Sequence, residues 1–273
     1  RKQVEKAKID KGKAVGFPGW EVLETERREI TPRVIFEVKD REGNTVRRVQ
    51  GSSTKGFHRV AWDLRYPSPK AVTVEKSSEQ GSGFLAPPGT YSVTMYAQAD
   101  GKTTQLSETQ QFDVVPLRTG ALPTKGYSQI ADFWRQYEQT VKRASAVQVT
   151  VGNTLKKIAR MQTALEQSNA DVGNLDSRLH DIRSSILEMD EALSGNRSKM
   201  EPGEKNNPTV GNRLFVVQRV IEYSTYGPTA TAVENLALAQ KGLDNISSQL
   251  NQNKMDLDAL SRRLTKAGAP WVE

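Results

Sequence analysis

Apolar residues in this chain follow two rhythms, a period of two before about residue 115 and an alternating three-and-four spacing after about residue 126. From Ile30 onward, Val34, Phe36 and Val38 alternate with Arg33, Ile35, Glu37 and Lys39, which predicts a strand with Ile35 as its one exception. Asp40-Arg41-Glu42-Gly43-Asn44 supplies turn chemistry, and Thr45 to Val49 returns as the second arm of a hairpin. Gly56 to Leu64 alternates again, setting Val60, Trp62 and Leu64 on one side and Phe57 on the face opposite His58. After a stretch rich in Ser, Lys and Gly from Ser68 to Gly83, the turn Ala86-Pro87-Pro88-Gly89-Thr90 opens a strand carrying Tyr91, Val93, Met95 and Ala97. Asp100-Gly101-Lys102 marks another hairpin, and Gln111 to Val115 closes the set. Short strands this closely spaced by turns predict an antiparallel sandwich.

Pro116 to Gly126 reads as a linker, and helical spacing follows. Ile130, Tyr137, Val141, Ala144, Val151, Leu155, Ile158 and Leu165 form one seam with a polar gap at Gln148. Val172, Leu175, Leu179, Ile182, Ile186, Met189 and Leu193 form the most regular one. Leu236, Ala239, Leu243, Ile246, Leu250, Leu257, Leu260 and Leu264 form the last, interrupted by Asn253. Such seams bury a narrow apolar stripe against partner helices. Gly195 to Gly211, with Pro202-Gly203 and Asn206-Asn207-Pro208, reads as a long polar loop, and Leu214 to Tyr223 as a shorter helix. Tyr226-Gly227-Pro228-Thr229 ends that helix and starts the last. Gln148 and Asn253, each near the middle of its helix, are expected to meet across an antiparallel pair and fix its register.

The predicted fold class is therefore α+β as two separate domains, an antiparallel Ig-like β-sandwich followed by an antiparallel long-helix (four-helix) bundle. The expected division is 1–28 basic linker, 29–117 sandwich, 118–127 linker, 128–268 helical bundle and 269–273 tail. Trp20 and Leu23 are expected to pin the first linker against the sandwich.

Composition narrows the functional classes. Cysteine is absent, which excludes disulfides, thiolate metal sites and a Cys nucleophile together. No apolar run is long enough to span a membrane, and the start lacks an initiator Met and a signal-peptide core, so the chain is expected to begin inside a longer polypeptide. The net charge of +7 arises from 39 basic against 32 acidic residues, mostly mixed within the same segments. A solvated linker helix accounts for the densest basic run, Arg1 to Lys13, so no nucleic-acid partner is predicted.

Candidate chemistry is sparse. His58 and His180 are the only histidines, and neither has a His or Cys partner at metal-ligand spacing. The acidic groups Glu188, Asp190 and Glu191, and Asp256 with Asp258, sit in helical sequence rich in Lys, Arg and Gln, where a solvated face outweighs an acid pair that needs a cleft. Gly81-Ser82-Gly83 lacks the Lys and helix of a phosphate loop. Trp62, Tyr66, Tyr91 and Tyr96 lie on or near strands, where exposed aromatics can stack on sugar rings; alternation places Trp62 in the core. No catalytic, cofactor-binding or metal-ligating residue is assigned.

Two motifs carry a resemblance. Phe57-His58-Arg59-Val60-Ala61-Trp62-Asp63-Leu64-Arg65-Tyr66-Pro67, followed by Leu85-Ala86-Pro87-Pro88-Gly89-Thr90-Tyr91-Ser92-Val93, resembles the C-terminal region of bacterial sortilin-like (BNR-type) β-propeller proteins. Gly56, Arg59 and Trp62 to Tyr66 match that family's first strand pattern, and Ala86 to Tyr91 with Val93 its second. Phe17-Pro18-Gly19-Trp20 resembles its linker and Tyr226-Gly227-Pro228-Thr229 its helical tail. The resemblance implies an Ig-like domain and helical tail at the end of an exported protein of the periplasm or cell surface, with propellers before Arg1. Relatives are often labelled glycosyl hydrolases for their propellers, but the propeller box Ser-x-Asp-x-Gly-x-Thr-Trp is absent here. The expected role is non-catalytic, structural and protein-binding, with a protein or the parent's own propeller as partner. An accessory part of a hydrolase and a carbohydrate-binding module are the alternatives.

Overall fold

A computed structural model of the protein describes residues 2–71, 82–99, 101–117, 126–168, 173–205, 207–224, 226–270 and 272. An antiparallel sheet region is followed by a helical C-terminal region, so the α+β class holds. The chain divides into two compact units, Arg1–Asp63 with Thr90–Asp113, and Leu64–Gly89 with Val114–Glu273.

In the first unit, α1 (Lys2–Ile9) and α2 (Trp20–Arg28) precede the sheet. The leading segment thus holds two helices, and Trp20 does not pin it: its ring is 79% exposed and meets Phe17 edge-on, with ring centres 5.0 Å apart. Strands β1 (Arg33–Lys39) and β2 (Thr45–Gly51) form the expected hairpin. Its turn is held by Asp40, whose carboxylate accepts from the Asn44 amide at 2.8 Å, while Gly43 takes the positive φ (+84°) that favours glycine. The other edge of β1 pairs with the long strand β5 (Gly89–Ala99), whose far edge pairs with β6 (Lys102–Gln105) and β7 (Gln110–Val114). Asp100 of the β5–β6 turn lies outside the described residues.

The pairings Val38 with Val93 and Phe36 with Met95 put the apolar residues of β1 and β5 on one face. Phe36 also lies across β2, where a side chain at Gly51 would come within 2.8 Å of its ring. On the opposite face Glu37 is buried beside Thr94.

The segment Gly56–Leu64 departs from the expected strand. Residues 57–63 join no sheet, and Phe57 points into solvent at 93% exposure. The alternation does place Trp62, half-buried, on the apolar face, against Tyr91 and Phe112 at 5.5 and 6.2 Å. It fails at Leu64, which takes a left-handed φ of +56° and is exposed, so the predicted trio of Val60, Trp62 and Leu64 does not share a core.

From Leu64 the chain belongs to the helical unit. Strands β3 (Arg65–Pro67) and β4 (Ser82–Leu85) form a two-stranded ribbon there instead of joining the sheet as the 29–117 boundary anticipates. Gly83 makes the ribbon close-packed, since a Cβ there would sit 2.5 Å from the Pro67 carbonyl oxygen. The ribbon is held by aromatic packing. Tyr66 stacks on Phe84 at 4.3 Å, and Phe84 meets Trp134 of the first long helix at 6.2 Å. Residues 72–81, including Gly81 of the glycine-serine motif, lie outside the described residues.

The helices are α3 (Tyr127–Glu166), α4 (Leu175–Ser194), a short α5 (Arg197–Met200), α6 (Val210–Tyr223) and α7 (Ala230–Lys266). Leu175, Leu179, Ile182, Ile186, Met189 and Leu193 of α4 are all buried, as are the eight predicted apolar positions of α7. Val172 lies outside the described residues. In α3 the buried line runs through Val151, Thr154, Ile158 and Met161, leaving Leu155 and Leu165 at its edge. Two helix starts are fixed by threonine caps. Thr209 and Asn212 form a reciprocal capping box, and the Thr229 hydroxyl accepts from the Ala232 amide at 3.1 Å. The cap at Thr209 starts α6 at Val210, four residues before the predicted Leu214.

Helices α3 and α7 run parallel. Thr140 meets Gln240, Arg143 meets Asp244, Lys157 meets Asp258 and Ser168 meets the Ala267 carbonyl, at sequence offsets of 100, 101, 101 and 99. Helix α4 runs antiparallel to both, with Asn174 beside Arg263, Ser185 beside Asn253 and Ser194 beside Gln148. Helix α6 then takes the same direction, with Val210 against Gly242 and Arg213 against Asn235. Thus α4 and α6 follow one another along the α3–α7 pair, separated by the Gly195–Thr209 insertion. Among the described residues, three helices surround the axis at each of these levels.

This geometry corrects the pairing expected of the two polar gaps. The parallel register places Asn253 four or five residues beyond Gln148, roughly 6–7 Å along the axis. Each amide instead reaches a serine of α4. Gln148 donates to Ser194 at 3.3 Å, and Asn253 donates to Ser185 at 3.1 Å.

Candidate functional site

The residues weighed for chemistry are dispersed. His58 lies in an exposed loop, where its Nε2 is 2.8 Å from the Thr54 carbonyl oxygen and 3.2 Å from its hydroxyl. His180 is on the exposed side of α4, in the other unit. Asp258 pairs with Lys157 at 3.0 Å and Asp256 accepts from Gln252 at 3.3 Å, so both serve the helix surface. Among the described residues no group of three or more His, Asp and Glu side chains is placed to hold a metal ion. Of the four aromatics weighed for sugar stacking, Tyr66 and Tyr91 are buried, and Trp62 is half-buried against other rings.

Glu37 and Tyr137, both with shifted protonation, serve the fold. Burial pushes the Glu37 carboxyl up, but Arg48 at 2.9 Å, Lys39 at 3.2 Å and the Thr45 hydroxyl at 3.2 Å outweigh it and hold it below its ordinary value. Burial, with the nearby Glu222 carboxylate, pushes the Tyr137 hydroxyl up to about 12. Neither change produces a base or acid that titrates near neutrality.

A cleft of about 420 Å³ opens where α4 ends, α6 begins and α7 passes both. It exists because the third rod is broken there. Gly195 ends α4 with a φ of +93°, and Thr209 restarts the helix. Gly211 and Gly242 let the elements approach, since side chains there would come within 3.0 Å of the Leu193 carbonyl oxygen and 3.1 Å of Val210. The lining includes Glu188, Glu191, Asn196, Thr209, Arg213 and Asn245. Two of the acidic residues read as surface thus flank a depression, which the sequence pattern alone does not reveal. Thr209 is committed to its cap and Arg213 donates to Asn235 at 3.3 Å, so these two polar groups of the rim are used within the helical unit.

More distinctive are large apolar side chains held outward on ordered elements. Among them are Phe215 and Tyr223 of α6, at 58% and 72% exposure. Arg219 lies between them, 5.9 Å from the Phe215 ring centre and 4.4 Å from that of Tyr223, whose hydroxyl accepts from it at 3.2 Å. The helical spacing of four residues creates this ladder, and the apolar seam of α6, on Leu214 and Val217, turns it outward. The periodicity marked α6 as a helix but gave no reason to single out its outer face.

No family model and no solved structure matches the chain. The chain is similar to the chromosome condensation protein dpy-27 of Caenorhabditis elegans, 26% identical over 143 residues. That alignment covers 52% of this chain and 9% of the other protein, so the chain spans less than a tenth of the relative's length.

Proposed function

We propose that this chain is a non-catalytic structural and protein-interaction module from the C-terminal part of a larger exported propeller protein. The observation that carries the interaction role is the set of large side chains held outward on ordered backbone, above all the Phe215–Arg219–Tyr223 ladder. Tyr, Trp, Phe and Arg are the residue types enriched in protein–protein contacts. The propeller context, the Ig-like assignment of the sheet and the extracytoplasmic location rest on the motifs Gly56–Tyr66 and Ala86–Val93. The helices serve as a stiff arm in this reading; α7, with 37 residues, extends about 55 Å at 1.5 Å per residue.

Assays of the purified chain on aryl glycosides and peptides test the non-catalytic role, with no turnover expected. Hydrolysis that is abolished by replacing one of its own carboxylates, such as Glu188 or Glu191, would overturn it. Fractionation of cells making the full parent tests the location, and a cytoplasmic protein would remove the propeller-family reading.

A further inference from the structure

We infer that the outer face of α6 is a self-association surface, whose occupant is α6 of a second copy packed antiparallel across a two-fold axis. This rests on the interaction-module reading above and names its partner.

Helix α6 is unusual in what it exposes. Its 14 residues present Phe215, Val216 and Tyr223 outward, whereas the 20 residues of α4 present only Leu187 among large apolar residues, and the 37 of α7 present Val233, Leu238 and Met255. On a helical projection Phe215, Arg219 and Tyr223 fall within about 80° of one another, on the side away from the buried Leu214 and Val217, with Glu222 at the edge of this face, toward Tyr137 of α3. Among the described residues of the helical unit, α6 packs against α7, α3 and α4, and Phe215, Arg219 and Tyr223 are exposed.

The charges specify the occupant. The face carries one cation, Arg219, and one carboxylate, Glu222, three residues apart. Among the described residues neither makes an ion pair. Arg219 donates to the Tyr223 hydroxyl, and Glu222 accepts from Gln218 at 2.6 Å. A two-fold axis at the level between Val220 and Ile221 sets each Arg219 opposite the other copy's Glu222, so two ion pairs form across the contact. It also brings Phe215 of each copy to the end of the other's α6, near the exposed Tyr226. One surface meeting itself in this way is the isologous contact of a two-fold dimer. A single 14-residue helix face is short of the roughly 800 Å² per partner of a stable complex, so the dimer is weak and forms as concentration rises.

Sedimentation equilibrium of the full chain from 5 to 500 μM in low salt tests this, with far-UV circular dichroism to verify folding of each variant. Association toward a dimer is expected, with a dissociation constant raised at least tenfold by either Arg219→Glu or Glu222→Arg. The double variant, which exchanges the two charges, is expected to restore wild-type association. A monomer throughout the range overturns the inference and leaves the face to a different protein. A dimer indifferent to these charges, or one the exchange does not restore, overturns it as well. None of these results bears on hydrolysis, so the non-catalytic reading stands or falls separately.

Discussion

The two units close their apolar surfaces to different degrees. In the helical unit, Ile158 of α3, Ile186 of α4 and Leu243 of α7 are sealed from solvent by neighbouring helices. In the sheet unit, Val38, Val46 and Tyr91 are the buried apolar residues among those described, and Trp62, which covers one end of the face, stays half-exposed. Burial of apolar area is the main favourable term in folding. Stability is therefore concentrated in the helices, while the sheet relies more on individual aromatic contacts and on the ion pairs around Glu37.

Leu243→Ala, in a sealed site, is expected to cost about 2–5 kcal/mol, and Trp134→Ala, which also releases the Phe84 contact, about 3–5 kcal/mol. Equilibrium urea unfolding measures both, and a cost below 1 kcal/mol for either would show that the helical core is loose. Trp62→Ala is expected to cost less, about 1.5–3 kcal/mol, because its ring is only half-buried between Tyr91 and Phe112. If Trp62 proves costlier than Trp134, the ranking of the two units is reversed.

A third test uses acid. The folded Glu37 carboxyl titrates below its ordinary value, so the unfolded chain takes up the proton first as pH falls. Its stabilisation is complete above the ordinary carboxylate pKa of about 4.3 and is lost as pH drops through the folded value. Arg48 and Lys39 are themselves solvent-exposed, so the contribution is small, about 1 kcal/mol. Glu37→Gln should therefore flatten the acid limb of the sheet unit's stability curve below about pH 5. An unchanged limb would mean that the ion pairs contribute nothing.

The smallest effect concerns the seam of α7. Asn253→Leu gains apolar contact but strands Ser185, so a change within about 1 kcal/mol is expected. A double-mutant cycle with Ser185→Ala should show coupling of about 0.5–1 kcal/mol, and one with Gln148→Leu should be additive within about 0.5 kcal/mol. Coupling to Gln148 instead would contradict the parallel register of α3 and α7.

Some of this was legible from spacing. The seams of α4 and α7 were, because a helix buried along one stripe repeats the same environment every three or four residues. The β1–β2 hairpin was also, since Asp40 and Gly43 carry their own turn chemistry. The Gly56–Leu64 segment was not, because alternation describes how side chains point and not whether the backbone finds a ladder partner. Nor was the attachment of the β3–β4 ribbon to the helices. It depends on Tyr66, Phe84 and Trp134 meeting from three separate parts of the chain, and no local period encodes such a contact. At the candidate surface, the four-residue spacing of Phe215, Arg219 and Tyr223 was visible, but which side of α6 they occupy follows from what Leu214 and Val217 pack against.

The parallel alignment of α3 and α7 also sets an order of events. Their contacts join positions 99–101 residues apart, whereas α3 ends at Glu166 and α4 begins at Leu175, close in sequence, as do α6, ending at Tyr223, and α7, beginning at Ala230. Local hairpins close at low entropic cost and long-range pairing comes later. During synthesis, α3 and α4 are complete while Ala230–Lys266 is still to be made. The emerging chain therefore carries an uncovered leucine and isoleucine stripe, the kind of surface that chaperones guard, until its last long helix arrives.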